Sequence, residues 1–396
     1  MKKILSLLLA VVMLLSLAAC GGSGDNGDNG AASGKSEYKI AMLSDFSGIN
    51  DQSFNQTTWE ACSAFGETTG MEIRYYLPTT SDDTGRIAAA EMAIADGYNV
   101  IVMPGYAFAA TVVELANNYP DVKVVALDVS VGDLLEKAVT AKGEVYDYNP
   151  ANWDLSAYVN MTNIYCAVYQ EELCGYMAGY AAVKLGYTKL GFLGGMAVPA
   201  VQRYGYGYVQ GADAAAAELG IQIEMKYVYG GIFYGDADIT AVMDTWYANG
   251  TEVVFACGGS IWQSAAESAK KYGCKIIGVD TDQATLIDAA FGEGMTVTSA
   301  MKGLAPTTIN TLTEIIVNNN WSNYAGKVET LGLISEDPAA NYVQLAPSTL
   351  FGEGFTAEDY AVLVKAMLDG TVTVSNDTTA MPATTNTNLI NQGSIK

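Results

Sequence analysis

From Tyr38 onward, short apolar runs alternate with longer amphipathic ones. Tyr38–Leu43, Glu72–Leu77, Val100–Met103 and Lys123–Leu127 read as strands. Ser53–Thr69, Asp82–Asp96 and Ala107–Asn118 carry helical periodicity. V-I-V-M and K-V-V-A-L are continuous apolar runs, as expected of parallel strands buried on both faces. The alternation predicts an α/β fold with a doubly wound parallel sheet. The rhythm breaks over Asp133–Met161, where tyrosines and Trp153 sit among polar residues, which predicts an extension and a crossover. It resumes with a helix at Cys166–Leu185 and with strands at Lys189–Leu193, Gln222–Tyr229, Glu252–Ala256 and Lys275–Val279. Helices at Gln202–Leu219, Asp236–Asn249 and Ile261–Tyr272 lie between them. A strand at Thr296–Ala300, a helix at Ala305–Asn319, a short strand at Thr330–Ile334 and a helix at Ala357–Asp369, capped by Thr356, complete the pattern. Thr371–Lys396 has no convincing apolar face and is expected to be a loosely held tail.

The two α/β runs resemble each other. V-I-V-M-P-G-Y leads through a helix to K-V-V-A-L-D, and V-V-F-A-C-G-G leads through a helix to K-I-I-G-V-D. Gly105 precedes Asp128 by 23 positions and Gly258 precedes Asp280 by 22. Each run thus places a glycine turn and an aspartate at corresponding strand ends. In open α/β sheets, ligands bind at the carboxyl ends of the strands. Two such lobes facing each other would bring both sets of ends to one cleft.

Composition narrows the function. The formal net charge is −23, from 43 acidic and 20 basic residues, so no basic footprint for nucleic acid exists. The chain has no histidine, which removes Ser-His-Asp and Cys-His catalysis and the commonest zinc ligand. No cofactor or metal site is expected. Lys2, Lys3 and the apolar run Ile4–Leu17 form a signal peptide, too short to span a membrane. It ends in L-A-A-C, which resembles a bacterial lipobox. Residues 1–19 would be removed and Cys20 lipidated, with 20–36 a Gly/Ser/Asp/Asn-rich flexible tether. Of the five other cysteines, Cys62, Cys166 and Cys174 fall in expected helices, and most are read as small buried thiols.

The first strand-to-helix turn, S-D-F-S-G-I-N-D-Q-S-F-N-Q, is too rich in polar and aromatic groups for a plain turn. A helix cap needs one group, from Asp51 or Ser53. Asp45, Asn50, Asp51, Phe54 and Asn55 together suggest a polar, aromatic-walled site. Asp128 and Asp280 each end an apolar strand, where they either cap the next turn or accept hydrogen bonds from a neutral polyol or a base N–H, because an ionised carboxylate is an acceptor only. The other aromatic candidates, Tyr106, Phe108, Phe233 and Trp262, follow strands or open helices, where they either stack on a flat ligand or pack on the sheet edge. Gly258-Gly259-Ser260 opens a helix and suits an anion or the close approach of a neutral ligand.

The motifs D-F-S-G-I-N-D-Q-S-F-N-Q, G-G-M-A-V-P-A-V-Q-R (Gly194–Arg203), G-G-I-F-Y-G-D, D-T-D-Q (Asp280–Gln283) and S-A-M-K (Ser299–Lys302) occur in order. Together with the lipobox they resemble the basic membrane protein family of lipoproteins, substrate-binding components of ABC importers that include purine-nucleoside receptors. The resemblance runs to about Gln344 and departs at Ile261 and Trp262, where another glycine is expected. It implies a type I periplasmic-binding-protein fold of two doubly wound lobes. Lobe 1 would span 37–162 with a return segment near 303–330, and lobe 2 would span 163–302 with part of 330–396. It implies a non-enzymatic, monomeric receptor, lipid-anchored on the extracytoplasmic face of the cell membrane, that passes a nucleoside to an ABC permease. It also puts Lys302 near the cleft. A sugar or small-signal receptor of the same fold, or a two-carboxylate nucleosidase or glycosidase, are the alternatives.

Overall fold

The computed structural model describes residues 37–46 and 48–396. The signal peptide, Cys20 and the tether lie outside the described residues. In chain order the elements are β1 (Ile40–Leu43), α1 (Phe54–Thr69), β2 (Ile73–Tyr76), α2 (Asp83–Ala95), β3 (Val100–Pro104), α3 (Ala109–Asn118), β4 (Lys123–Leu127) and α4 (Val131–Ala141). Then come β5 (Ile164–Tyr169), α5 (Glu171–Lys184), β6 (Lys189–Gly194), α6 (Pro199–Leu219), β7 (Ile223–Tyr229), α7 (Ala237–Ala248), β8 (Val253–Cys257) and α8 (Trp262–Tyr272). The chain ends with β9 (Lys275–Asp280), α9 (Ala284–Phe291), β10 (Thr296–Lys302), α10 (Leu304–Leu312), β11 (Lys327–Leu331), β12 (Val343–Leu345), α11 (Ala357–Leu368) and β13 (Thr387–Ser394).

Two sheets form. The first has the order β11-β5-β4-β3-β1-β2 and the second β12-β10-β9-β8-β6-β7-β13. Every pairing is parallel except β10 with β12. In each sheet five successive strands follow the doubly wound order 2-1-3-4-5, so the internal resemblance of the sequence is a resemblance of topology. The central strands are buried on both faces, which is why they are apolar throughout.

Three expectations are corrected. Cys166 lies in β5, not in a helix: the apolar stretch I-Y-C-A-V-Y pairs with β4 and β11, and the helix begins only at Glu171. The first sheet therefore takes in a strand beyond residue 162. The irregular stretch begins with a regular helix, α4, stopped from fraying by a Ser130–Asp133 capping box. The tail is not loose, because β13 adds an edge strand beside β7. Helix α10 packs against α1, and β11 adds to the first sheet beside β5. Cys62, Cys166, Cys174 and Cys257 are buried free thiols, with Cys274 half-buried.

Helices α5 and α6 touch backbone to backbone. Glycines four apart on each, Gly175 with Gly179 and Gly207 with Gly211, face the partner helix. A Cβ on them would stand 2.2, 2.1, 2.1 and 2.0 Å from carbonyl oxygens of Tyr204, Tyr208, Glu172 and Tyr176 respectively. Only a residue without Cβ fits such an approach. The contact fixes the register of α5 on α6. Gly179→Ala is expected to lower the unfolding free energy by about 1–3 kcal/mol or more through overpacking, measured by urea denaturation. Gly143→Ala, at an open helix end, should cost less than Gly179→Ala.

Candidate functional site

The carboxyl ends of β1, β3 and β4 face those of β8, β9 and β10 across a cavity of about 360 Å³. That volume lies within the range of small-molecule sites. Of the candidate residues, Asp45, Asn50, Asp51, Phe54, Asn55, Tyr106, Asp128, Phe233, Gly258, Asp280 and Lys302 line it. Phe108 and Trp262 do not. Phe108 is fully buried in the first sheet's core, with the Arg86 guanidinium 6.0 Å from its ring centre. Trp262 packs edge-on against Phe291 in the second sheet's core. In both cases the aromatic ring filled the helix–sheet layer, the other expectation for a ring at a helix start.

The β1–α1 turn divides its polar groups between structure and cavity. Asp51 caps α1, accepting from the backbone N–H groups of Ser53, Asn55 and Gln56 at 2.9–3.1 Å. Asn55 Nδ2 also donates to Asp51, and Asn55 Oδ1 accepts from the Asp45 backbone N–H. The Asp45 carboxylate is held by Arg86 Nε and Nη2 at 3.1 and 2.9 Å. Because Asp51 supplies the cap, the Ser53 hydroxyl is released from it. That hydroxyl crosses the cleft and donates to Asp280 Oδ2 at 2.6 Å. Gln283 Nε2 donates back across the cleft to Gln52 O at 3.1 Å, and Tyr106 OH contacts Met196 Sδ at 3.8 Å. The two halves therefore touch directly at the site.

Asp128 and Asp280 end the fourth strand of their respective halves, each with a left-handed backbone, at φ +59° and +64°. Non-glycine residues seldom take this conformation, and aspartate tolerates it better than most. Such strain of about 1–3 kcal/mol persists where surrounding structure enforces it, commonly at functional sites. Here each turn swings the carboxylate into the cleft.

Between them sits a buried charge network that the sequence only half disclosed. Lys302, the last residue of β10, has a side chain 2% exposed. Its ammonium pairs with Asp128 Oδ2 and, at 3.0 Å, with Glu171 Oε1. Arg203 Nε bonds the other Glu171 oxygen at 2.6 Å. The Lys302 ammonium also lies 5.0 Å from the ring centre of Phe54 and 5.4 Å from that of Tyr204. Burial alone would neutralise this lysine, but Asp128 and Glu171 hold it charged and raise its pKa. Burial would likewise raise Glu171, yet Arg203 and Lys302 keep it below the ordinary value. Asp128 is pushed up to about 7, chiefly by burial, opposed by Lys302 and reinforced by Glu171. Asp128 Oδ1 is buried without a hydrogen-bond partner. Glu171 and Tyr204 escaped the sequence reading. The available signal was the pair of acids, Glu171-Glu172, one residue after an apolar run, which the over-long helix concealed.

Phe233 stands on a bed of glycines. Its ring packs where a Cβ on Gly195 or Gly258 would be, 2.4 and 2.7 Å from Cδ1. Gly258, at φ +135°, also needs a conformation that side chains rarely adopt. The paired glycines after β6 and β8 thus serve an aromatic wall.

A family profile described as "ABC transporter substrate-binding protein PnrA-like" matches residues 38–336. The chain is similar to the ABC transporter nucleoside-binding protein BmpA of Lactococcus lactis subsp. cremoris. Identity is 27% over 263 residues, 63% of this chain and 65% of that protein, just under two thirds of its length. It is 26% identical over 308 residues to basic membrane protein B of Borreliella afzelii, covering 76% of this chain and 80% of that one. Among solved structures, an ABC transporter solute-binding protein from Aeropyrum pernix K1 superposes with a TM-score of 0.62 at 18% identity, covering 86% of this chain and 88% of that one. The last likeness shows the fold, that of type I solute-binding proteins.

Lys302→Met leaves two buried carboxylates without their shared cation. It is expected to cost about 3–5 kcal/mol of unfolding free energy in urea denaturation. Adding Asp128→Asn should restore part of that loss.

Proposed function

The chain belongs to the PnrA-like family of ABC transporter substrate-binding proteins, and from that premise we propose that it binds a nucleoside, most readily a purine one, in this cleft. The family is one of substrate-binding proteins rather than enzymes, and the Lactococcus relative is a nucleoside-binding protein by name. The observation that carries the ligand reading is the meeting, in one cavity, of an aromatic ring and a strand-end aspartate from each half: Phe54 with Asp128, and Phe233 with Asp280. A flat base stacked on such rings gains roughly 1–3 kcal/mol per ring. The unpartnered Asp128 Oδ1 and the Asp280 carboxylate accept from ribose hydroxyls or base N–H groups. Lys302, Arg203 and Arg86 are each committed to carboxylates, so among the described residues no uncommitted cation at the site is left to compensate a phosphate. Two lobes close on the ligand by hinge motion, as the cross-cleft contacts of Ser53 and Gln283 suggest. With the lipobox cysteine Cys20 lipidated, the monomeric receptor is tethered outside the cell membrane and delivers its ligand to an ABC permease for import.

Calorimetric titration of the chain from Lys35 onward, unfolded and refolded to strip carried-over ligand, tests the reading. Adenosine, guanosine or inosine is expected to bind saturably without release of free base, and inosine 5′-monophosphate is not. Phe54→Ala should weaken binding by about 1–3 kcal/mol. Binding of a hexose alone would transfer the function to sugar uptake, release of free base would make the protein an enzyme, and no binding by folded protein would sink the proposal. A pH series adds an independent check. Protonated Asp128 can no longer act as a pure acceptor, so inosine affinity should fall on acidification below about 7, by at most about tenfold per pH unit. Asp128→Asn should bind weakly and lose that pH dependence.

A further inference from the structure

The family match ends at residue 336, yet the chain continues to a strand that returns to the site. Residues after α11 are pinned along α6. Ser375 exchanges two bonds with the Gln210 side chain at 2.9 and 3.0 Å, and Asp213 accepts from the Asn386 backbone N–H at 2.8 Å. The strand β13 then runs parallel to β7, and Trp246 Nε1 donates to Gln392 Oε1 at 2.9 Å. Its end meets the loop Gly230–Asp236, the loop that carries Phe233. Ile395 N–H donates to Tyr229 O at 2.8 Å, just before the loop. The Lys396 ammonium pairs with Asp236, the residue that closes the loop and caps α7, and lies 3.6 Å from Asp238. Between these points Gly231 lies against Lys396, where a Cβ would come within 2.8 Å of the Lys396 Cβ.

We propose that β13 is a strap that holds the Gly230–Asp236 loop, so that Ile395 and Lys396 are positioning residues for the Phe233 wall. Its consequence for affinity rests on the nucleoside reading above; the strap itself does not. On one face of its ring Phe233 rests on Gly195 and Gly258, which offer it no side chain. Its placement depends on how firmly both ends of the loop are held. The strap grips one end by a backbone bond and the other by an ion pair. Loosening it should let the ring leave the ligand sooner, raising the off-rate while the sheet itself stays intact.

The experiment compares amide hydrogen exchange in unliganded wild type, Ile395→Pro and Lys396→Ala. The Gly230 and Gly231 amides report on the loop, since they donate to Gly194 O and Gly195 O at 2.7 and 3.0 Å. Ile395→Pro removes the donor to Tyr229 and should speed exchange at these amides by about five- to tenfold. Lys396→Ala breaks a partly exposed pair and should give about two- to threefold, with Lys396→Arg restoring the wild-type rate. Exchange in β8 should not change. Inosine off-rates should rise by the same factors. Unchanged exchange at Gly230 and Gly231, or equal acceleration throughout the second sheet, would overturn the strap. Expected exchange with no inosine binding by wild type would count against the nucleoside reading and leave the strap standing.

Discussion

The buried ammonium of Lys302 is the constraint on which the cleft depends. A lysine so enclosed keeps its charge only if carboxylates follow it inside. Asp128 comes from the end of β4 and Glu171 from the start of α5, while Lys302 itself ends β10. One charge therefore ties the first sheet, the second sheet and the segment that leaves β5. Arg203 extends the tie to α6. The network has three carboxylates when Asp280 is included, against two cations. That excess of negative charge suits a ligand rich in hydrogen-bond donors and disfavours an anion.

The precision of this network comes from parts that carry no charge. Glu171 and Arg203 meet because α5 and α6 approach through four glycines, and that approach leaves no freedom to slide. Phe233 reaches the cavity because Gly195 and Gly258 leave space for its ring. In each case a missing Cβ positions a functional group on a neighbouring element. Glycine is costly in an element interior, so its presence in the middle of α5 and α6 has a packing reason.

Much of this was legible along the chain. The alternation of apolar strands and amphipathic helices implied the doubly wound sheets, because parallel strands covered on both faces must be apolar throughout. The repeated spacing from glycine turn to strand-end aspartate implied two matching halves, and both aspartates do turn into the cavity with left-handed backbones. Where the reading failed, local pattern was ambiguous. I-Y-C-A-V-Y is as apolar as a buried helix face, and only pairing with β4 and β11 makes it a strand. T-N-L-I-N-Q-G-S has too little apolar character to form a strand alone, and the open edge of β7 supplies the reason. Phe108 and Trp262 sit at the same kind of position as Tyr106 and Phe54, and nothing local says which ring turns inward.

The sequence by itself thus determined the elements, their duplication and the chemical types gathered at strand ends, because periodicity and turn chemistry are local properties. Tertiary structure decided which members of that inventory share the cavity. Asp51 became a helix cap, which sent the Ser53 hydroxyl across to Asp280. Arg86 drew Asp45 to the wall of the site, and Glu171 was recruited by two cations distant in sequence. The Asp51 cap is local, but the other choices depend on charges and hydroxyls meeting over separations of 32 to 227 residues, which no short window of the chain spans.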